Sequence, residues 1–226
     1  TIPTSEDCLQ LNIWRPHQQH QADTTDDLDL VLLPVLFWVF GGGLTSGSGI
    51  QYNGTQLAAL GNIVVVTVNY RVGALGFYAS QEIAAEKGNH GSNGAMNGVL
   101  DVVEALHFVQ NYISYFGGDP TKVTIAGESS GAMNSCILGF TPIASSLFHQ
   151  MILESGSCIG PWIGPSFSAE SALNASSKFA NAVLNRLNRL NGATVSDDST
   201  TVKIKKPTSN GRTKTKIIAA PPPPPP

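Results

Sequence analysis

The sequence predicts an α/β fold with a mostly parallel central sheet and flanking helices. Three observations carry this reading. Short runs of β-branched and aromatic residues alternate with longer segments of helical periodicity. Two of these runs, Val31 to Phe40 and Ile63 to Tyr70, are almost continuously apolar, as in strands buried on both faces. A third, Val123 to Ala126, runs straight into Gly127-Glu128-Ser129-Ser130-Gly131, and small helix-compatible residues follow.

Taken in order, Leu9 to Trp14 alternates apolar and polar residues and predicts the first strand. Pro16 to Asp29 is a polar, acidic loop. His17 and His20 lie in it, but no cysteine or third histidine accompanies them, so a solvated loop is expected rather than a metal site. The strand ending at Phe40 opens into Gly41-Gly42-Gly43-Leu44-Thr45-Ser46-Gly47. Neither a phosphate loop nor a dinucleotide fingerprint fits its spacing. Three glycines at a strand end either free backbone N–H groups to face one point, as an oxyanion hole requires, or form a flexible connection. Arg71 to Phe77 and Asn89 to Asn97 read as loops. From Gly98, a helix is predicted by Val99, Val102, Val103, Leu106, Val109, Ile113 and Phe116, one apolar face at three- and four-residue intervals. His107 on it reads as a partly buried structural histidine. Gly117-Gly118 stops the helix and Asp119-Pro120 turns the chain. Phe148 to Leu153 predicts a further strand, and Ala169 to Leu190 a further helix.

The stretch around Ser129 is where chemistry is expected. Gly-x-Ser-x-Gly between a strand and a helix is the nucleophile-elbow pattern. The serine sits on a sharp turn with its hydroxyl exposed, and the positions two residues away must be small because strand and helix cross closely. Gly127 and Gly131 meet that need, and the Ser130 N–H lies at a helix N-terminus, where it can help hold an oxyanion. The same pattern also occurs in glycine-rich turns without chemistry. The apolar run before it and the helix-compatible residues after it favour the elbow.

Composition narrows the rest. The 226 residues are 42% hydrophobic, enough for one sizeable core. No apolar run is long enough to span a membrane, and no signal-peptide pattern opens the chain. Residues 1–198 hold 16 acidic against 7 basic side chains, a net −9, which excludes nucleic acid as a partner for the body. The tail holds six lysines and arginines, no acid and a final run of six prolines. It buries too little apolar surface to order, so 1–192 is expected to form the domain and 193–226 a disordered low-complexity tail. Cys8, Cys136 and Cys158 match no zinc spacing, and an odd count leaves at least one unpaired within the chain. The sequons at Asn53 and Asn174 permit glycosylation if the chain is secreted.

Several motifs stand in one order: Ser5-Glu6-Asp7-Cys8-Leu9, Val39-Phe40-Gly41-Gly42-Gly43, Asn69-Tyr70-Arg71, Phe116 through Ala132, and Phe148 through Ser157. Together they closely resemble the type-B carboxylesterase/lipase family, which includes cholinesterases and fungal lipases. The resemblance is dense over residues 5 to 163 and loose to about 190. Phe40, where many members carry histidine, looks like the fungal lipase branch. The resemblance implies an α/β-hydrolase fold, here partial, and a serine carboxylesterase or lipase acting on small-molecule or lipid esters without cofactor or metal. Matched residue by residue, it implies Ser129 as nucleophile and the N–H groups of Gly42, Gly43 and Ser130 as the oxyanion hole. Glu128 matches a glutamate that shapes the field of the site. Cys8 matches a cysteine whose family partner lies further toward the N-terminus, so Cys8 is expected to be unpaired. Secretion is usual for such relatives.

The order of residues after Ser129 departs from the family. In this fold the triad runs serine, acid, histidine along the chain. The later acids are Glu154, Glu170, Asp197 and Asp198, and the only later histidine, His149, precedes all four. His149 falls in a strand motif and looks structural. The expectation is therefore a truncated or mis-spliced member, weakly active or inactive alone. The alternatives are a non-catalytic relative of the adhesion type and a fragment that does not fold stably.

Overall fold

A computed structural model of the chain describes residues 5–17, 31–85, 96–156, 158, 169–191, 201–206 and 214–219. Five strands form one sheet: β1 (Leu11–Trp14), β2 (Leu33–Val39), β3 (Val64–Val68), β4 (Gly118–Glu128) and β5 (Gln150–Glu154), in the order β1-β3-β2-β4-β5. β1 runs antiparallel to β3, and the other three pairings are parallel. The register sets Val39 of β2 between Val68 and Gly127, and Glu128 beside Glu154. The C-terminal ends of β2, β4 and β5 thus share one edge, the edge where open parallel sheets bind ligands.

The apolar runs form these strands for a packing reason. β3 is buried throughout, and its Thr67 is tolerated there because the hydroxyl donates to the Gly49 carbonyl (3.0 Å) and accepts from the Asn12 amide (3.1 Å). β2 departs from the two-faced burial predicted for it. Leu33, Val35, Phe37 and Val39 are buried, whereas Pro34 is exposed and Leu36 and Trp38 are half-buried. The β2–β4 register shifts between Leu33 and Val35. Pro34, which has no N–H to offer a ladder, sits at that irregularity.

The predicted turn at Asp119-Pro120 is drawn into the start of β4 instead. There the Asp119 carboxylate accepts from the Thr121 hydroxyl (2.6 Å) and N–H (2.9 Å) and pairs with Lys122 (3.0 Å). The Thr121 hydroxyl, with Lys122, lowers its pKa to about 2.

The long predicted helix is α4 (Asn97–Tyr112), continued by a 3₁₀ turn over Ile113–Phe116. Val99, Val102, Val103, Leu106, Val109 and Ile113 join Phe37, Val64, Val66, Val123 and Ile125 in the core. Phe116 and His107 fall outside that stripe. Phe116 is 40% exposed and His107 is exposed, not partly buried as its apolar neighbours suggested.

Three short helices were not predicted: α1 (Thr55–Gly61), α2 (Gly73–Phe77) and α3 (Gln81–Ala84). α2 replaces part of the loop expected at 71–77. Arg71, just before it, is fastened to α4 through Asp101. The Arg71 Nε (2.7 Å), Nη2 (2.6 Å) and backbone N–H (3.0 Å) all donate to the Asp101 carboxylate. That hydrogen bonding raises the Arg71 pKa. Gly98 permits the approach, since a Cβ there would lie 2.7 Å from the Phe77 ring.

The chain divides into two compact units, Thr1–Ala172 and Leu173–Pro226. The helix predicted over 169–190 is α6 (Ala169–Asn191). In the low-complexity tail, β6 (Thr201–Lys206) and β7 (Lys214–Ala219) pair as an antiparallel ladder. Their alternation of lysine with β-branched residues is a strand pattern that composition alone conceals.

Asp101→Ala removes three donors' common acceptor and is expected to cost about 2–3 kcal/mol. Urea unfolding checks this: the midpoint should fall with the slope unchanged.

Candidate active site

β4 hands the chain to α5 (Ser130–Gly139) through Ser129, whose backbone stands at φ 53°, ψ −121°. Such a conformation costs a non-glycine residue about 1–3 kcal/mol and persists only where its surroundings over-determine it. They do so from three sides. The Ser129 N–H donates to the Glu154 carbonyl of β5 (2.8 Å), and the Ser129 carbonyl accepts from Met133 N–H (3.1 Å), starting α5. Gly127 and Gly131 touch: a Cβ on Gly127 would lie 2.5 Å from the Gly131 carbonyl carbon. A Cβ on Gly131 would strike the carbonyl oxygens of Val39 and Phe40, the latter at 2.6 Å. The crossing of strand and helix therefore closes against the end of β2 as well.

The glycine triplet stands beside this turn. A Cβ on Gly41 would lie 3.2 Å from the Ser129 Cβ and 2.7 Å from a Glu128 carboxylate oxygen. Gly42 (φ 120°) and Gly43 (φ 64°) occupy conformations that favour glycine. The Gly42 carbonyl anchors the following turn, accepting from Thr45 N–H (3.2 Å), Ser46 N–H (3.3 Å) and the Thr45 hydroxyl (3.1 Å). Leu44 N–H donates to the Ser130 hydroxyl (3.3 Å), which ties the glycine loop to the start of α5. Among the described residues, the N–H groups of Gly42, Gly43 and Ser130 have no protein acceptor.

A buried aromatic pair supports the loop from beneath. Phe40 and Tyr70 stack with ring centroids 4.3 Å apart, and the Tyr70 hydroxyl donates to the Phe40 carbonyl (2.7 Å). Burial pushes the Tyr70 phenol up to about 12, against an opposing hydrogen bond from the Ser130 side chain. Tyr70 and the Glu154 carbonyl are supports that sequence reasoning did not single out, although the motifs containing them were visible.

Among the described residues no imidazole hydrogen-bonds the Ser129 hydroxyl. His149 lies at the far end of the sheet, its ring Nδ1 accepting from Val123 N–H (3.2 Å) and its backbone N–H donating to the Val123 carbonyl (2.8 Å). Six residue steps along the strand separate Val123 from Ser129, about 20 Å at the usual rise. His17 and His107 are exposed, and His20 and His90 lie outside the described residues. No cluster of histidine, cysteine and acid suited to a metal occurs among the described residues. Two clefts, of about 360 Å³ by Asn69 and Arg71 and about 340 Å³ by Trp38 and Tyr52, do not include Ser129. Cys136 of α5 is joined to Cys158 by a disulfide, and Cys8 is free.

A mostly parallel sheet that delivers a positive-φ serine to a helix N-terminus, with glycine N–H groups alongside, defines an α/β-hydrolase. The chain belongs to the carboxylesterase family, whose sequence pattern matches residues 1–205. It is 44% identical over 155 residues to a cocaine esterase of Oryctolagus cuniculus, covering 69% of this chain and 26% of that protein. It is 47% identical over 154 residues to the fumonisin B1 esterase of Sphingopyxis macrogoltabida, covering 67% and 26%. A solved PNB esterase structure superposes with a TM-score of 0.63 at 34% identity, over 84% of this chain and 36% of that one. The chain thus spans about a quarter of the length of these curated relatives.

Gly131→Ala forces a Cβ onto two backbone carbonyls and is expected to cost about 3 kcal/mol or more, read as a lowered unfolding midpoint. Tyr70→Phe leaves the buried Phe40 carbonyl without its donor, at about 1–3 kcal/mol. The same variant should change alkaline behaviour. Folded Tyr70 keeps its proton to about pH 12, whereas an unfolded tyrosine releases it near 10.0. Its contribution is complete below pH 10, falls as pH rises toward 12, and should vanish from pH-dependent unfolding of Tyr70→Phe.

Proposed function

We propose that this chain carries the nucleophile and the oxyanion donors of a carboxylic ester hydrolase. Ser129 attacks the acyl carbon, the N–H groups of Gly42, Gly43 and Ser130 hold the developing oxyanion, and the alcohol leaves. Water then releases the acid from the acyl-serine. Glu128, beside the nucleophile, contributes negative charge to the site and is not its triad acid. The histidine that would take the Ser129 proton, with the acid that orients it, comes from a further segment. Small carboxylic esters are the substrate class, with lipid esters as its larger members. An oxidising, secretory setting accords with the Cys136–Cys158 disulfide.

The observation that carries this reading is the pairing of a strained serine with three N–H donors that have no acceptor among the described residues, at one sheet edge. Neither is needed by a non-catalytic adhesion relative, the reading that the absence of a described imidazole at Ser129 would otherwise favour.

Chemical rescue tests the proposal. A site with nucleophile and oxyanion donors but no base retains about 10³–10⁴ over water, so the folded chain should react slowly with a fluorophosphonate. Added imidazole should accelerate labelling, and Ser129→Ala should abolish it. Labelling that survives Ser129→Ala, or none even with imidazole, contradicts the proposal. Fast labelling without imidazole would mean that a base is already present.

A further inference from the structure

We propose that the Cys136–Cys158 disulfide is a positioning clamp on the nucleophile turn, and that a dithiol can open it without unfolding the sheet. Its functional meaning rests on the ester hydrolase reading, but its structural basis does not.

Cys136 is fully buried on α5, seven residues beyond Ser129, or about 10 Å along the helix. Cys158 is exposed, beyond the end of β5, with the two Cα atoms 5.4 Å apart. The end of β5 and the two residues after it, Glu154 to Gly156, lie against the start of α5. Glu154 offers its carbonyl to Ser129 N–H (2.8 Å). Ser155 takes φ 53°. Gly156 then packs so closely that a Cβ there would lie 2.5 Å from both the Ser129 carbonyl oxygen and the Ala132 Cβ. The acceptor for Ser129 N–H and the wall behind its carbonyl therefore belong to one short segment, and the disulfide fastens the far end of that segment to the helix Ser129 begins.

β5 alone holds the segment weakly. Among the described residues it pairs only with β4, and Met151 and Ile152 are 39% and 46% exposed. A strained serine needs surroundings that do not relax. The cross-link, closing a loop with a sequence separation of 22, restricts the openings that would withdraw the Glu154 carbonyl.

Opening is chemically accessible from outside. A thiolate of the dithiol attacks Sγ of Cys158, an exposed residue, the S–S bond breaks, and Cys136 Sγ leaves as a thiolate that takes a proton. The dithiol's second sulfur then closes its own disulfide and releases Cys158 as a thiol. Two electrons pass from the dithiol, which is oxidised, to the protein disulfide, which is reduced.

The test uses the full chain carrying Cys8→Ser, with hydrogen exchange followed by mass spectrometry before and after dithiothreitol. Alkylation should find no free thiol before reduction and two after. Exchange over residues 127–134 should then quicken by about tenfold or more, while peptides over β3 and α4 stay unchanged. Cys158→Ser leaves the buried Cys136 in place, so no cavity forms. It should show the faster exchange from the outset and no response to dithiothreitol. Unchanged exchange at 127–134 would overturn the clamp. A uniform increase across all peptides would also overturn it, reducing the disulfide to a general staple. Exchange needs no turnover, so this result stands or falls separately from labelling of Ser129.

Discussion

The close crossing of β4 and α5 against the end of β2 is the constraint on which the rest depends. Gly127 meets Gly131, and Gly131 meets the last carbonyls of β2. No side chain fits at either glycine, so the helix approaches the sheet as nearly as backbones allow. That approach forces the one residue between them that must turn, Ser129, into a positive-φ conformation with its hydroxyl at the sheet's C-terminal edge. The same contact brings the glycine triplet of β2 beside the serine, because the triplet follows directly from the carbonyls that Gly131 touches.

The strain is sustained by neighbours that have little freedom of their own. Tyr70 and Phe40 are both buried, and their stacking and hydrogen bond fix the carbonyl on which Gly131 rests. Ser130 joins the glycine loop to the helix, and β5 supplies the acceptor for Ser129 N–H. Three backbone N–H groups then remain without acceptors among the described residues, at the C-terminal edge of the sheet. Leaving donors open is costly in a core but tolerable at a surface where water can serve until an oxyanion replaces it.

Much of this was legible in the sequence, because it depended on residue size and period. Glycine at 127 and 131 reported the crossing. Valine and leucine spacing reported the buried face of α4, and the motif order reported the family. What stayed hidden depended on partners distant along the chain. The run 31–40 could not disclose that Trp38 and Leu36 face a half-open side. His107 lay among apolar residues yet points outward. Asp119-Pro120 carried turn chemistry that the β2–β4 ladder overrode. Nothing local marked Cys136 and Cys158 as partners, since their pairing depends on how β5 returns to α5.

The proposed reading divides a catalytic site in two: a turn and an anion cradle formed by this chain's own packing, and a proton acceptor that the described residues do not supply at Ser129. Its central claim is that the first half exists without the second. A crystallographic determination of the 226-residue chain tests this most directly. The account expects Ser129 at positive φ near 53°, with the N–H groups of Gly42, Gly43 and Ser130 free of protein acceptors. A Ser129 relaxed to ordinary helical or extended torsions, or a glycine loop folded so that those N–H groups are bonded internally, would contradict it.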